Sequence, residues 1–148
     1  MRRAFLLAAA MCISAPSAAQ LAPVVAFESA RDAPLNPGGW TYAATPAASE
    51  STFAGLLRIR CDRAAHVVSI QRLGVAPTPG VAVPPILVAT DSVARSLPGA
   101  VAVLGPFDPL LDAIAFSRGR VVVTGGGGGM LVLPAWPEAA RSIEDCRN

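Results

Sequence analysis

The chain has 148 residues, 53% hydrophobic and 15% charged, and all twelve of its basic residues are arginine. Its first 19 residues read as a signal peptide, and removing Arg2 and Arg3 with it leaves ten arginines against ten acids, a balanced mature chain. That balance removes the electrostatic reason to expect nucleic acid or an anionic membrane surface as partner, and the remaining length suits one domain with a modest core.

The leader has a basic start at Arg2 and Arg3 and an apolar stretch from Phe5 to Ile13 that is too short to span a bilayer. Ser17-Ala18-Ala19 supplies the small residues of a cleavage site, so cleavage is expected after Ala19, with the mature protein periplasmic or secreted. A general secretory leader fits better than a twin-arginine one, because no Ser or Thr precedes the arginines. No later apolar run is long enough for a transmembrane segment. With Cys12 in the leader, Cys61 and Cys146 remain, and two cysteines in an exported chain most simply form one disulfide.

Residues 20–38, rich in Ala and Pro and without a sustained period, read as a flexible lead-in to a single β-rich domain over 39–148. Trp40-Thr41-Tyr42 begins the first strand. From Phe53 to Arg60 apolar and polar residues alternate, with Leu57, Ile59 and Cys61 on one face and Arg58, Arg60 and Asp62 on the other. Val68 and Ile70 alternate with Ser69 and Gln71 in the next strand. A four-residue loop over Asp62 to Ala65 would set Ile59 opposite Val68, Leu57 opposite Ile70 and Cys61 opposite His66. Ala76 to Pro85 holds four prolines and reads as a loop. Ile86 to Thr90 and Ala100 to Leu104 read as short strands.

Asp108-Pro109 is an N-cap followed by proline at the first helical position, and Leu110, Leu111 and Ile114 give that short helix an apolar side. Gly119 is expected to end it. Arg120 to Thr124 and Met130 to Leu133 then form a hairpin across Gly125 to Gly129, read as a flexible loop. A last helix starts at Pro137 with Ala139, Ile143 and Cys146 on one stripe. Cys61 therefore faces inward from a strand and Cys146 from a helix. The expected fold is mainly β (α+β): a small antiparallel β-sandwich-like sheet, a short helix, and a C-terminal helix tied to the sheet by one disulfide.

The chemistry-bearing residues do not assemble into a catalytic set. A phosphate-cradling loop needs a helix start and, in the Walker form, a Lys; the glycine run leads instead into a strand pattern, and the chain has no Lys. His66 is the only imidazole, and no Gly-x-Ser-x-Gly accompanies it. Asp108 and Asp112 are better placed as cap and helix surface than as paired catalytic acids, and Glu144 and Asp145 can pair with Arg141. One His and no clustered acids leave no metal shell, and no cofactor is implied. Arg118 and Arg120, at a helix-to-strand turn, form the candidate contact site, since two guanidinium groups there can grip a carboxylate or phosphate. The alternative is that they close internal salt bridges to Asp112 or the C-terminal helix.

Leu57-Arg58-Ile59-Arg60-Cys61, the segment Pro109 to Arg120, Pro134-Ala135-Trp136-Pro137-Glu138 and Glu144-Asp145-Cys146-Arg147 together resemble a group of exported bacterial proteins, over residues 40–148. The order of elements is more distantly similar to the invasion-associated locus B family of periplasmic β-sandwich proteins. The chain departs from that family in having no Cys in the Trp40 strand and one disulfide where the family has several. Neither resemblance implies catalytic residues.

The resulting expectation is a non-enzymatic periplasmic or secreted domain, an envelope or protein-interaction module with an unidentified protein partner in the cell envelope. The alternatives are a small exported hydrolase using His66 with a serine or carboxylate, and a secreted inhibitor or ligand-binding domain working through the proline-stiffened Ala76 to Pro85.

Overall fold

Strand alternation sorts the chain into an inner and an outer face, and two antiparallel sheets follow from it. The computed structural model describes residues 27–76 and 78–148, so the expected signal peptide lies outside the described residues. In the first sheet, β1 (Trp40–Ala44), β2 (Ala48–Phe53), β3 (Leu57–Asp62) and β4 (Val67–Arg72) pair in sequence, and β7 (Val101–Leu104) adds to β4. In the second, β5 (Ile86–Ala89) lies between β6 (Ala94–Leu97) and β8 (Arg120–Gly125), and β9 (Gly128–Pro134) pairs with β8. Leu57, Ile59, Val68 and Ile70 from the first sheet join Ile86, Val88, Val123 and Leu133 from the second in one core. Helices α1 (Pro109–Ala115) and α2 (Pro137–Glu144) complete that core, so the mainly β sandwich with two helices stands.

The C-terminal helix covers the inner face at the β1–β2–β3 end. Ile143 and Cys146 are buried, and Cys146 is joined to Cys61 on β3 with the Cα atoms 5.4 Å apart, within the ordinary span of a disulfide. Strand β2 sits under this helix with serines where apolar residues are usual. Ser51 Oγ donates to the Glu138 carbonyl and shares a 2.6 Å hydrogen bond with Ser142 Oγ. These small hydroxyls let helix and sheet approach closely. The same polarity hid β2 from a reading based on alternating hydrophobicity. The second unexpected strand, β6, is a four-residue edge with only Leu97 fully buried.

Three expectations need correction. The β3–β4 loop runs from Arg63 to His66, one residue further on than expected, which moves every cross-strand partner by two, so Ile59 faces Ile70 and Cys61 faces Val68. Asp62 Oδ1 accepts from the Ala65 N–H at 3.0 Å, and His66 takes a left-handed φ of 49° to re-enter the ladder. A two-residue shift preserves side-chain parity, which is why the apolar face was nevertheless assigned correctly. The glycine run is not a loop. Gly125 and Gly128 face each other as the last pair of the β8–β9 hairpin, and only Gly126 and Gly127 turn.

The third correction concerns the lead-in. Residues 27–33 lie on the outer face of the second sheet, where Ala30 is fully buried with Ala89, Val122 and Val132. Asn36 then bonds both backbone groups of Val132, accepting from its N–H through Oδ1 at 2.6 Å and donating to its carbonyl at 2.8 Å. This segment shields the β9 edge, which would otherwise present unpaired backbone groups.

Candidate functional site

The alternation that sends Val68 and Ile70 inward on β4 sends Arg72 to the same face. Arg72 is only 7% exposed, and among the described residues it is the one charged residue in the buried set. It is the last residue of β4. Its backbone N–H donates to the Ala100 carbonyl. Its guanidinium lies along the β8–β9 hairpin, with Nη2 donating to the Gly129 carbonyl at 2.8 Å and Nη1 to the Val123 carbonyl at 3.4 Å. Its buried Nε has no hydrogen-bond partner.

The glycines exist for this side chain and for the loop above it. A Cβ on Gly128 would lie 2.1 Å from Arg72 Nη2, and one on Gly125 would lie 1.9 Å from the Pro85 carbonyl oxygen. At Gly125 (φ +75°) the obstacle is backbone and cannot swing away, whereas at Gly128 a side chain would have to displace the Arg72 guanidinium from its place.

Arg72, the Gly126–Gly127 turn, Ala100 and the loop after β4 line a half-open cavity of about 450 Å³. Val75, Val81, Val83 and Pro84 give it an apolar wall, and Gln71 and Thr78 are the uncharged polar residues that border it. Among the described residues, Arg72 is the only charged one in the lining. The volume falls within the ~300–1,000 Å³ typical of small-molecule sites, and an apolar wall with a few polar groups is their usual composition. Burial pulls the Arg72 guanidinium below its ordinary pKa, since a low-dielectric surrounding penalises its charged form.

Sequence reasoning missed Arg72, although the signal was present: one more step of two along Val68 and Ile70 puts a cation on an apolar face. Ala76 to Pro85 is the exposed loop that its prolines predict, and Val81, Ala82, Val83 and Pro84 of that loop also line the pocket.

The singled-out residues lie elsewhere. Arg120 does not reach Asp112 or the C-terminal helix; its Nη1 donates to the carbonyls of Ala30 and Ala33 at 2.9 and 2.8 Å and anchors residues 27–33. Arg118 is exposed in the preceding turn and makes no ion pair among the described residues. The two arginines are thus not brought together as a grip. His66 is exposed in the β3–β4 turn, without a hydrogen bond to a serine or carboxylate among the described residues. Asp108 caps α1 by accepting from the Leu110 N–H at 2.9 Å and pairs with Arg95 at 2.8 Å. Asp112 and Glu144 both pair with Arg147, and Asp145 pairs with Arg63, in place of the expected Arg141 partnership. No family model, curated protein or solved structure matches the chain.

Proposed function

We propose that the chain is an exported, non-enzymatic binding domain, and that it works by holding a small ligand in the cavity between β4, the Gly126–Gly127 turn and the loop after β4. The observation that carries this reading is the built character of the cavity. An apolar wall and, among the described residues, a single buried cation line it, and the arginine packs against Gly126 and Gly128, where a Cβ would displace it. This moves ligand binding ahead of the envelope protein-interaction role. The Cys61–Cys146 disulfide supports export, because such bonds persist in oxidising compartments. Among the described residues no helix is long and apolar enough to cross a membrane.

Native mass spectrometry of the oxidised protein purified from its source tests the reading. The expected result is a small-molecule adduct that is removed by denaturation. It should be absent from Ala82→Trp, which fills the cavity from its exposed rim. No adduct, or one that persists at equal occupancy in a folded Ala82→Trp protein, overturns it.

A further inference from the structure

The binding reading leaves open what the cavity takes, and the arginine inventory addresses that. Arg31, Arg58, Arg60, Arg63, Arg95 and Arg147 each face a carboxylate. Arg141 lies over the Tyr42 ring, Arg120 bonds two carbonyls, and Arg118 is in solvent. Arg72 is the most deeply buried of the described arginines, yet it faces no acid. Two neutral carbonyls meet a group with five N–H donors, and neither carries a formal charge to balance it. Burying an uncompensated cation is costly, and folded chains normally supply a counter-charge.

Resting on the cavity as the binding site, we propose that its ligand is a monoanion with an apolar body, a carboxylate on a short aliphatic or aromatic frame, and that Arg72 is the counter-ion that selects it. The carboxylate supplies the charge that the protein omits. Thr78, whose side chain makes no hydrogen bond among the described residues, is available for its second oxygen. The apolar frame covers Val75, Val81 and Val83. A dianion such as inorganic phosphate fits poorly. Among the described residues the lining has no second cation, the chain has no lysine to provide one, and most of the wall would have nothing apolar to touch. A cationic ligand meets direct repulsion.

The test is a charge series on the unaltered oxidised protein, followed by amide resonances in ¹⁵N NMR. The probes are octanoate, 1-octanol, octylamine and inorganic phosphate. The expected result is that octanoate moves the Gly126 and Gly127 amides saturably and binds roughly tenfold or more tightly than 1-octanol, while octylamine and phosphate leave them in place. Arg72→Met should remove the preference for octanoate over 1-octanol without removing 1-octanol binding. Arg72→Lys should keep part of the preference. The series on the unaltered protein decides the matter even if neither variant folds.

Equal or tighter binding of 1-octanol, or phosphate acting as well as octanoate, overturns the ligand class while leaving the cavity as the site. Silence from all four probes beside a native small-molecule adduct does the same. Silence together with no native adduct overturns the site itself, and this inference with it.

Discussion

Tyr42 on β1 donates a 2.5 Å hydrogen bond to Asp145 at the end of α2, across 103 positions of sequence. Arg63 lies 3.3 Å from the same carboxylate, and the Arg141 guanidinium stacks over the Tyr42 ring at 4.2 Å. Burial pushes the Asp145 carboxyl up, but the Tyr42 hydrogen bond and the charges of Arg63 and Arg141 outweigh it and hold it below its ordinary range. In return, the hydrogen bond to Asp145, with burial and the Asp145 charge, raises the Tyr42 hydroxyl. The pair fastens the end of the chain to the first strand, beside the disulfide.

This pairing fixes the direction of the pH dependence. A carboxylate with a depressed native pKa adds stability above its unfolded value, and that stability is lost as pH falls through the native value. Asp108 behaves like Asp145: burial raises it, and the Arg95 pair and the Leu110 N–H bring it below its ordinary range. Stability is therefore expected to decline as pH drops below ~4, and Asp145→Asn or Asp108→Asn should shallow the decline. The raised Tyr42 acts oppositely: its contribution is complete below ~10 and is lost as pH rises through the native value. Tyr42→Phe should remove that alkaline loss and cost about 1 kcal/mol at neutral pH. Urea midpoints measured against pH check all three; a D145N curve parallel to the unaltered one would contradict the assignment.

The disulfide closes a separation of 85 residues. In the chain-entropy account, a loop of that size restricts the unfolded state by about 4.5 kcal/mol. Replacing both Cys61 and Cys146 by Ala should lower unfolding free energy by about that amount, and reductant should lower the unaltered protein equally. The check is urea unfolding of the three samples. A loss under ~1 kcal/mol would mean that native strain or residual structure cancels the constraint.

The legible parts of the fold were those where one face is apolar. Leu57, Ile59, Val68 and Ile70, and the stripe of Ala139, Ile143 and Cys146, gave the sandwich, the terminal helix and the disulfide between them, because burial imposes periods that a sequence displays. Strand β2 was not legible because its buried face is Ser49 and Ser51, whose fit depends on a helix 90 residues away in sequence. The glycine run looked like a flexible loop because a glycine shows nothing of what approaches it. The site was hidden for the same reason: Arg72, Gly128 and the loop after β4 acquire meaning only once the two sheets meet.

Arg120 offers a separable test of the segment over residues 27–33. Its two hydrogen bonds to the Ala30 and Ala33 carbonyls are the polar attachment, and Ala30 against Val122 and Val132 is the apolar one. Arg120→Met should cost about 1–2 kcal/mol, as charged donors to carbonyls do, and speed hydrogen exchange over residues 27–36 more than in β8. Exchange measured by mass spectrometry on proteolytic fragments reads both regions. Unchanged protection over 27–36 would show that the apolar contact alone holds the segment.

The glycine hairpin supplies a paired prediction in which one substitution should be severe and another nearly silent. Gly125 has a φ of +75°, and a Cβ there would lie 1.9 Å from the Pro85 carbonyl oxygen, a backbone atom with no rotamer by which to retreat. Left-handed strain costs an alanine roughly 1–2 kcal/mol, and the overlap adds the displacement of β5 from β8 where Ile86 pairs with Gly125. Gly125→Ala should therefore lose at least about 2 kcal/mol and open the cavity that Pro84 and Gly126 help to close. Four residues on, a Cβ on Gly129 meets nothing within 4 Å, so Gly129→Ala should change stability by under ~0.5 kcal/mol. Thermal unfolding of the two variants side by side is the measurement. If they behave alike, the run is a tolerant loop after all, and the close fit of Arg72 and Pro85 on these glycines does not hold in solution.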